Sequence, residues 1–288
     1  MRRPDAALVS IALDRGQSGV RPPHSKVAPE AKVTYWTNKV VMITGASSGI
    51  GKGIALEIAS HGAHLGLLAR REELLNEIVN EVRSRNVKAI AASADVRDIE
   101  AVRAATDRFR KELGPIDVMI ANAGIGTSDH ATRLTPEHAE KVIGINVLGA
   151  VNTVGAVLPE MVERGHGRLV AISSLAAYRG LAKSAAYCAS KAALTAYFES
   201  LRIDLRHTGV GVSIIHPGFI KTDLTSGREA KMPYLMELET GVKKIVAGIE
   251  KEKAIYAFPW QLATIVRASM LMPPAMYDWI AERNSFRE

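Results

Sequence analysis

Tyr187 and Lys191 stand four residues apart in a segment with helical periodicity. On a helix that spacing puts both side chains on one face, about one turn from each other. A phenol titrates at about 10, too high for efficient base catalysis near neutrality. A neighbouring ammonium favours the phenolate and brings that value down. The pair could therefore give a proton to a carbonyl oxygen, or take one from it. The same spacing also suits an ordinary solvated helix face, so the pair alone decides nothing. Ser173 and Ser174 close an apolar run upstream. A hydroxyl placed there can bond a substrate oxygen and the charge that develops on it.

A second group could hold phosphate. Thr44-Gly45-Ala46-Ser47-Ser48-Gly49-Ile50-Gly51 follows a short apolar run and opens a helical pattern. Its glycines permit positive φ and close backbone approach. The next helix would point free N–H groups and its positive dipole end at a pyrophosphate. Between a buried strand and a helix, the string predicts a dinucleotide site; alone it is only a tight turn. The second apolar run ends in Ala69-Arg70-Arg71. An NAD site usually places an acid here for the ribose hydroxyls. Two guanidiniums instead suit a 2′-phosphate, which they can grip bidentately. As a plain solvated helix start they would oppose the helix dipole. The expected cofactor is NADP(H).

These groups hang on a regular alternation. Short apolar runs predict strands at 40–44, 63–69, 87–94, 116–122, 168–173, 210–216 and 254–258. Amphipathic stretches predict helices at 49–61, 72–85, 99–113, 185–207 and 238–250, with 136–163 helical but broken. Such alternation implies parallel strands, right-handed crossovers and helices on both faces: a Rossmann-like, doubly wound α/β sheet in a single domain. Residues 1–36 mix prolines, glycines and scattered charge without a period. They read as a disordered extension or as residues upstream of the true start. The folded domain is expected at 37–258, with 217–238 as a substrate lid. Residues 259–288 form an apolar tail broken by Pro273 and Pro274.

Composition excludes several classes. Hydrophobic residues make up 47% and charged residues 23% of 288, which is ordinary globular usage. The single cysteine, Cys188, rules out an internal disulfide and a cysteine-cluster metal site. It fits a reducing, cytoplasmic setting. His61, His64, His130, His138 and His166 show no ligand spacing, so no metal is expected. Of the net charge of +7, six basic and three acidic side chains lie within residues 1–36. No basic stripe with interleaved aromatics follows, so nucleic acid is not an expected partner. The longest apolar stretch, 142–158, is interrupted by Asn146 and Asn152 and falls short of a bilayer span. The N-terminus lacks the apolar core of a signal peptide. The tail, with Trp260, Tyr277 and Trp279, is expected to pack at a subunit boundary; covering the substrate entrance and peripheral membrane contact are the alternatives.

The Thr-Gly-x-x-x-Gly-x-Gly spacing of residues 44–51, with Tyr187-x-x-x-Lys191, resembles the short-chain dehydrogenase/reductase family, from about Lys39 to Phe258. The resemblance implies a cofactor cradle of Gly45, Ser47, Ser48, Gly49, Ile50 and Gly51, with Arg70 and Arg71 beyond it. It implies Tyr187 as acid/base, and Lys191 as modulator of the tyrosine and ribose ligand. It picks Ser174, thirteen residues before Tyr187, over Ser173 as the oxyanion partner. Asn146, in Asn146-Val147-Leu148-Gly149, would hold a helix kink and a relay water. Asp95, followed by Val96, would hold the adenine amino group. Asn122-Ala123-Gly124 would support the sheet beside the cofactor. In Pro217-Gly218-Phe219-Ile220-Lys221-Thr222, backbone near Ile220 and the Thr222 hydroxyl would grip the nicotinamide carboxamide. The implied reaction moves a hydride between NADP(H) and a carbonyl or secondary alcohol, in a homodimer or homotetramer. Apolar residues of the expected lid (Leu224, Met232, Tyr234, Leu235 and Met236) suit a bulky, even lipidic, ketone or aldehyde, and equally suit ordinary helix core. A nucleotide sensor without chemistry is the alternative.

Overall fold

Successive side chains of a strand face opposite sides, and the first strand shows what that does here. Val41 and Ile43 of β1 (Val40–Thr44) enter one core, while Val40 and Met42 enter the other. A computed structural model describes residues 33–126, 130–226 and 232–283. After β1 come α1 (Gly49–Ala59), β2 (His64–Ala69), α2 (Glu72–Arg83), β3 (Ala89–Ser93), α3 (Ile99–Leu113) and β4 (Val118–Ala121). Then follow α4 (Pro136–Ile143), α5 (Gly149–Glu163), β5 (Gly167–Ile172), α6 (Ala185–Asp204), β6 (Val210–Pro217), α7 (Leu238–Glu250) and β7 (Ile255–Phe258). The strands form one sheet in the order β3-β2-β1-β4-β5-β6-β7, and every neighbouring pair is parallel. The expected doubly wound α/β fold is present, with element ends shifted by a few residues.

Two hydrophobic cores sandwich the sheet. On one face Ile54 and Ile58 of α1, Leu75 and Ile78 of α2, and Val242 and Ile245 of α7 are buried. On the other lie Val102 and Phe109 of α3, Val154 and Val157 of α5, and Leu194 and Phe198 of α6. The strand order reverses between β1 and β4, and ligands of such sheets bind beyond the strand ends at that switch.

Three regions refine the expectations. Residues 33–36 do not belong to an appendage: Trp36 is fully buried in the α1/α2/α7 core, and its indole N–H donates to Glu250 at 2.7 Å. A side chain that large stabilises the fold wherever it can be buried. The expectation for residues 1–32 lies outside the described residues. The broken helical run is α4, a π-helical turn at Gly144–Leu148, and α5. By length and composition, Pro136–Glu163 could cross a membrane. Val142 is instead fully buried, and Ile145, Val154, Val157 and Met161 sit in the core, so it is a core helix. The tail folds into α8 (Trp260–Ser269) and α9 (Pro274–Arg283), split at the expected prolines. Of the expected lid, residues 227–231 lie outside the described residues. Its base is closed by backbone bonds from Lys221 N to Met236 O (2.9 Å) and from Met236 N to Phe219 O (3.0 Å).

Candidate active site

The loop after β1 is laced to the end of β4. Thr44 Oγ1 accepts from the backbone N–H groups of Asn122 (3.2 Å) and Ala123 (3.1 Å). Asn122 Nδ2 returns bonds to the carbonyls of Thr44 (3.0 Å) and Gly45 (3.2 Å). Gly45 has φ +65°, and a Cβ there would lie 2.7 Å from Ala123 Cα. A Cβ on Gly51 would lie 2.3 Å from the Gly45 carbonyl oxygen. Only glycine permits this chain path. Ser48 occupies the N-cap position of α1 but makes no side-chain cap bond to the helix. Its hydroxyl accepts from Arg71 Nη2 at 2.6 Å, and Ser47 Oγ accepts from the same nitrogen at 3.0 Å. The first turn of α1 carries no acid. A positive dipole end with a guanidinium beside it is the environment a phosphate requires.

The loop opens a cleft of about 480 Å³. Its walls include Gly45, Ser47, Ser48, Gly49, Ile50, Arg70, Arg71, Asp95, Val96, Asn122, Ala123, Gly124, Tyr187, Lys191 and Thr222. Most of the expected cofactor residues are thus brought together. Gly51, Pro217, Gly218 and Ile220 do not line it. Ile220 is buried, packed against Gly241 of α7, so only its backbone faces the lid turn: its carbonyl accepts from Thr225 Oγ1 at 2.8 Å. Gly218 is crowded by Pro259, Leu262 and the Phe258 carbonyl, a packing role.

At the far end of the cleft the π-helical turn places Asn146. It is fully buried, and its carboxamide clamps Ile125: Oδ1 accepts from Ile125 N (2.8 Å) and Nδ2 donates to Ile125 O (2.9 Å). Nδ2 also donates to Ser190 Oγ (2.9 Å), which donates to the Tyr187 carbonyl (2.7 Å). A π turn costs hydrogen-bond geometry and recurs at functional sites. Here it aims Asn146 across to the helix that carries Tyr187 and Lys191. Lys191 is buried, its Nζ lies 5.9 Å from the Tyr187 ring centroid, and it donates to the Ile172 carbonyl at 2.8 Å. Burial brings its pKa down from 10.5 to about 8. Ser174 Oγ accepts from Ala176 N (3.1 Å), capping a short turn, which leaves its own O–H for another acceptor. Ser173 is the serine that lines the cleft, but its hydroxyl is engaged by the Lys191 carbonyl (3.2 Å) and Thr195 Oγ1 (2.9 Å).

The lysine has a measurable cost. Its unfolded-state pKa lies above the folded one, so between pH 8 and 10.5 the unfolded chain holds a proton that the folded chain sheds. Stability therefore rises with pH across that window, and the full cost of about 3 kcal/mol is present below pH 8. Lys191→Met should stabilise the fold at pH 7 by about 2 kcal/mol, after loss of the bond to Ile172. That advantage should fade as pH rises from 8 to 10.5. Urea unfolding of both proteins across this range checks it, and a pH-independent difference would refute it.

Two residues in the cleft's electrostatics escaped the sequence reading. Arg97 grips the Asp95 carboxylate with Nε (3.1 Å) and Nη2 (2.7 Å), and this bond, first among several causes, lowers the Asp95 pKa. The Asp95-x-Arg97 spacing was the available signal. His216 is fully buried beneath Ser174, and its pKa is lowered to about 4, chiefly by burial. Nothing in the spacing of the histidines points to it. Among the described residues no cluster could hold a metal.

Sheet, phosphate loop and cleft define a dinucleotide-binding type of fold. The short chain dehydrogenase family model matches residues 39–233. A Myxococcus xanthus protein named an uncharacterized oxidoreductase is 42% identical over 253 residues, covering 88% of this chain and 99% of its own. Bovine short-chain dehydrogenase/reductase family 16C member 6 is 33% identical, with 88% of this chain and 84% of its own covered. Among solved structures, gluconate 5-dehydrogenase from Burkholderia cenocepacia, in complex with NADP and tartrate, is 29% identical with TM-score 0.63, covering 66% of this chain and 74% of its own. A Burkholderia phymatum short chain dehydrogenase/reductase in complex with NAD shares the fold at TM-score 0.75 and 24% identity, covering 81% of this chain and 93% of its own. The chain belongs to the short-chain dehydrogenase/reductase family, and it is an oxidoreductase.

Proposed function

We propose that this protein is an NADP(H)-dependent carbonyl reductase acting on a bulky, apolar ketone or aldehyde. The observation that carries the reading is the pairing of two ends of one cleft. At one end Arg70 and Arg71 stand where an acid would select NAD, with Arg71 already bonded to the phosphate-loop serines. At the other, Tyr187 and Lys191 face the same space. The glycine-only loop, the uncapped α1 N-terminus and the guanidiniums fit NADP(H). When bound, that cofactor supplies the hydride.

The chain's own groups do the rest. Tyr187 gives its phenolic proton to the carbonyl oxygen as the carbon is reduced. Lys191, still largely protonated at neutral pH, offsets the charge left on the phenol. Ser174 donates its hydroxyl to the same oxygen and stabilises the developing negative charge. Asn146 holds Ile125 and the Ser190 link so that these groups keep their spacing. Asp95 orients adenine, and the Ile220–Thr222 turn orients the carboxamide. In this reading the unit acts as a dimer or tetramer in the cytoplasm. The exposed apolar side chains Trp260 and Ile265 of α8, Leu271 of the turn after it and Trp279 of α9 supply a surface for self-association. A sensor without chemistry would place no demand on the buried Asn146–Ser190–Lys191 arrangement.

Leu224 lines the cleft, and both it and the Tyr187 ring come within 3.4 Å of where a side chain on Gly126 would begin. An apolar lid residue beside the reacting phenol favours apolar substrate bulk. With NADPH and methyl ketones of rising chain length, kcat/KM should climb roughly threefold to fourfold per buried methylene until the cleft is filled. Loss of reduced nicotinamide absorbance reads the rate. A flat or falling series would reject the bulky substrate. NADPH binding with no carbonyl turned over would replace the enzyme by the sensor.

A further inference from the structure

We propose that His216 is a positioning residue for Ser174, and that helix α8 acts on the active site through it. The inference rests on the catalytic reading above. His216 lies at the end of β6, fully buried, with Nδ1 3.1 Å from the Ser174 carbonyl oxygen. A carbonyl only accepts, so Nδ1 carries the hydrogen and donates it. Ser174 is thereby held from two sides: its hydroxyl by Ala176 N, its carbonyl by His216. The direction of the Ser174 O–H depends on the backbone those bonds fix.

The imidazole does not stand alone. Its ring lies 4.8 Å from that of Tyr178, tilted by 33°. Tyr178 accepts a hydrogen bond from Arg267 Nη2 at 2.9 Å, and Arg267 belongs to α8. Arg267, Tyr178, His216 and Ser174 form a continuous chain from α8 to the proposed oxyanion group. Packing alone does not ask for histidine here. Nε2 is buried and meets no hydrogen-bond partner among the described residues, an unfavourable state that a leucine would avoid. The position keeps a group that costs stability and gives one directed hydrogen bond.

The test compares wild type, His216→Leu and His216→Asn in NADPH-dependent turnover of the best ketone and in NADPH titration. The Asn amide nitrogen takes the place of Nδ1 and keeps the donor. His216→Leu should lower kcat roughly 10- to 100-fold, since small misplacements at a reacting centre have effects of that order. NADPH affinity should stay within about twofold, and His216→Asn should recover most of kcat. A His216→Leu enzyme with wild-type kcat, or an Asn variant no better than Leu, overturns the inference while the function stands. Wild type that reduces no carbonyl overturns both, and shows it before any variant is read. Should the Leu variant not fold, Tyr178→Phe reads the same chain. It removes the Arg267 bond and keeps the ring, so kcat should fall severalfold with NADPH affinity intact; an unchanged kcat would refute the link to α8.

Discussion

Replacing Arg70 by aspartate is expected to reverse the coenzyme preference. Arg70 lines the cleft at the end of β2, beside Arg71 and across from Asp95, whose carboxylate feels its charge. A guanidinium–phosphate contact is charge-assisted, worth about 1.5–3 kcal/mol per bond. Losing it should raise the Kd for NADPH by about 10- to 100-fold. The new carboxylate repels a 2′-phosphate, which adds to that loss. It can also accept bonds from the two ribose hydroxyls of NADH, so NADH should bind several times more tightly than to wild type. Titrating each nucleotide against wild type and Arg70→Asp, with nicotinamide fluorescence as the signal, reads both numbers. Wild type that prefers NADH, or a variant that keeps the NADPH preference, would remove the arginines from the recognition of phosphate. Arg71 is the less clean choice for this test. Its bonds to Ser47 and Ser48 tie it to the loop itself, so its loss would disturb binding of both coenzymes.

Tyr187→Phe should abolish turnover with the binding site intact. The phenylalanine keeps the ring that packs with Ala176 and Cys188 and loses only the hydroxyl. General acid catalysis contributes about 10²–10⁴ in rate, and kcat should fall by that factor. NADPH affinity should change by no more than a few-fold, because the phosphate loop and the arginines lie at the other end of the cleft. Single-turnover absorbance with NADPH and the preferred ketone separates the two effects. A variant that retains a tenth of wild-type kcat would mean that another group delivers the proton. Ser174, tied to Ala176 and His216, would then be examined first.

The alternation of apolar runs and amphipathic helices was enough to establish the sheet, its parallel strands and the order of the motifs. It succeeded because period and glycine placement are local properties, and a βαβ crossover has essentially one hand. Tyr187 and Lys191 were legible through their spacing, which one helical turn carries to one face, only together with the family resemblance of the surrounding motifs. Thr44–Gly51 was legible because its glycines recur at a fixed local spacing between a strand and a helix. What remained hidden depended on partners far away in the chain. Trp36 looked like part of an appendage until its indole was seen to reach Glu250, 214 residues on. Asn146 meets Ile125 across 21 residues and Ser190 across 44. His216 meets Ser174 across 42. No periodicity reports such contacts. They are decided when β4, β5 and β6 are set side by side and the π-helical turn brings Asn146 under α6. The lowered pKa of Lys191 belongs with them, because it is burial by the assembled fold that disfavours the ammonium. The sequence alone determined the order of strands, helices and motifs along the chain. Tertiary packing decided which groups meet, how dry the lysine is, and which residue holds the serine in place.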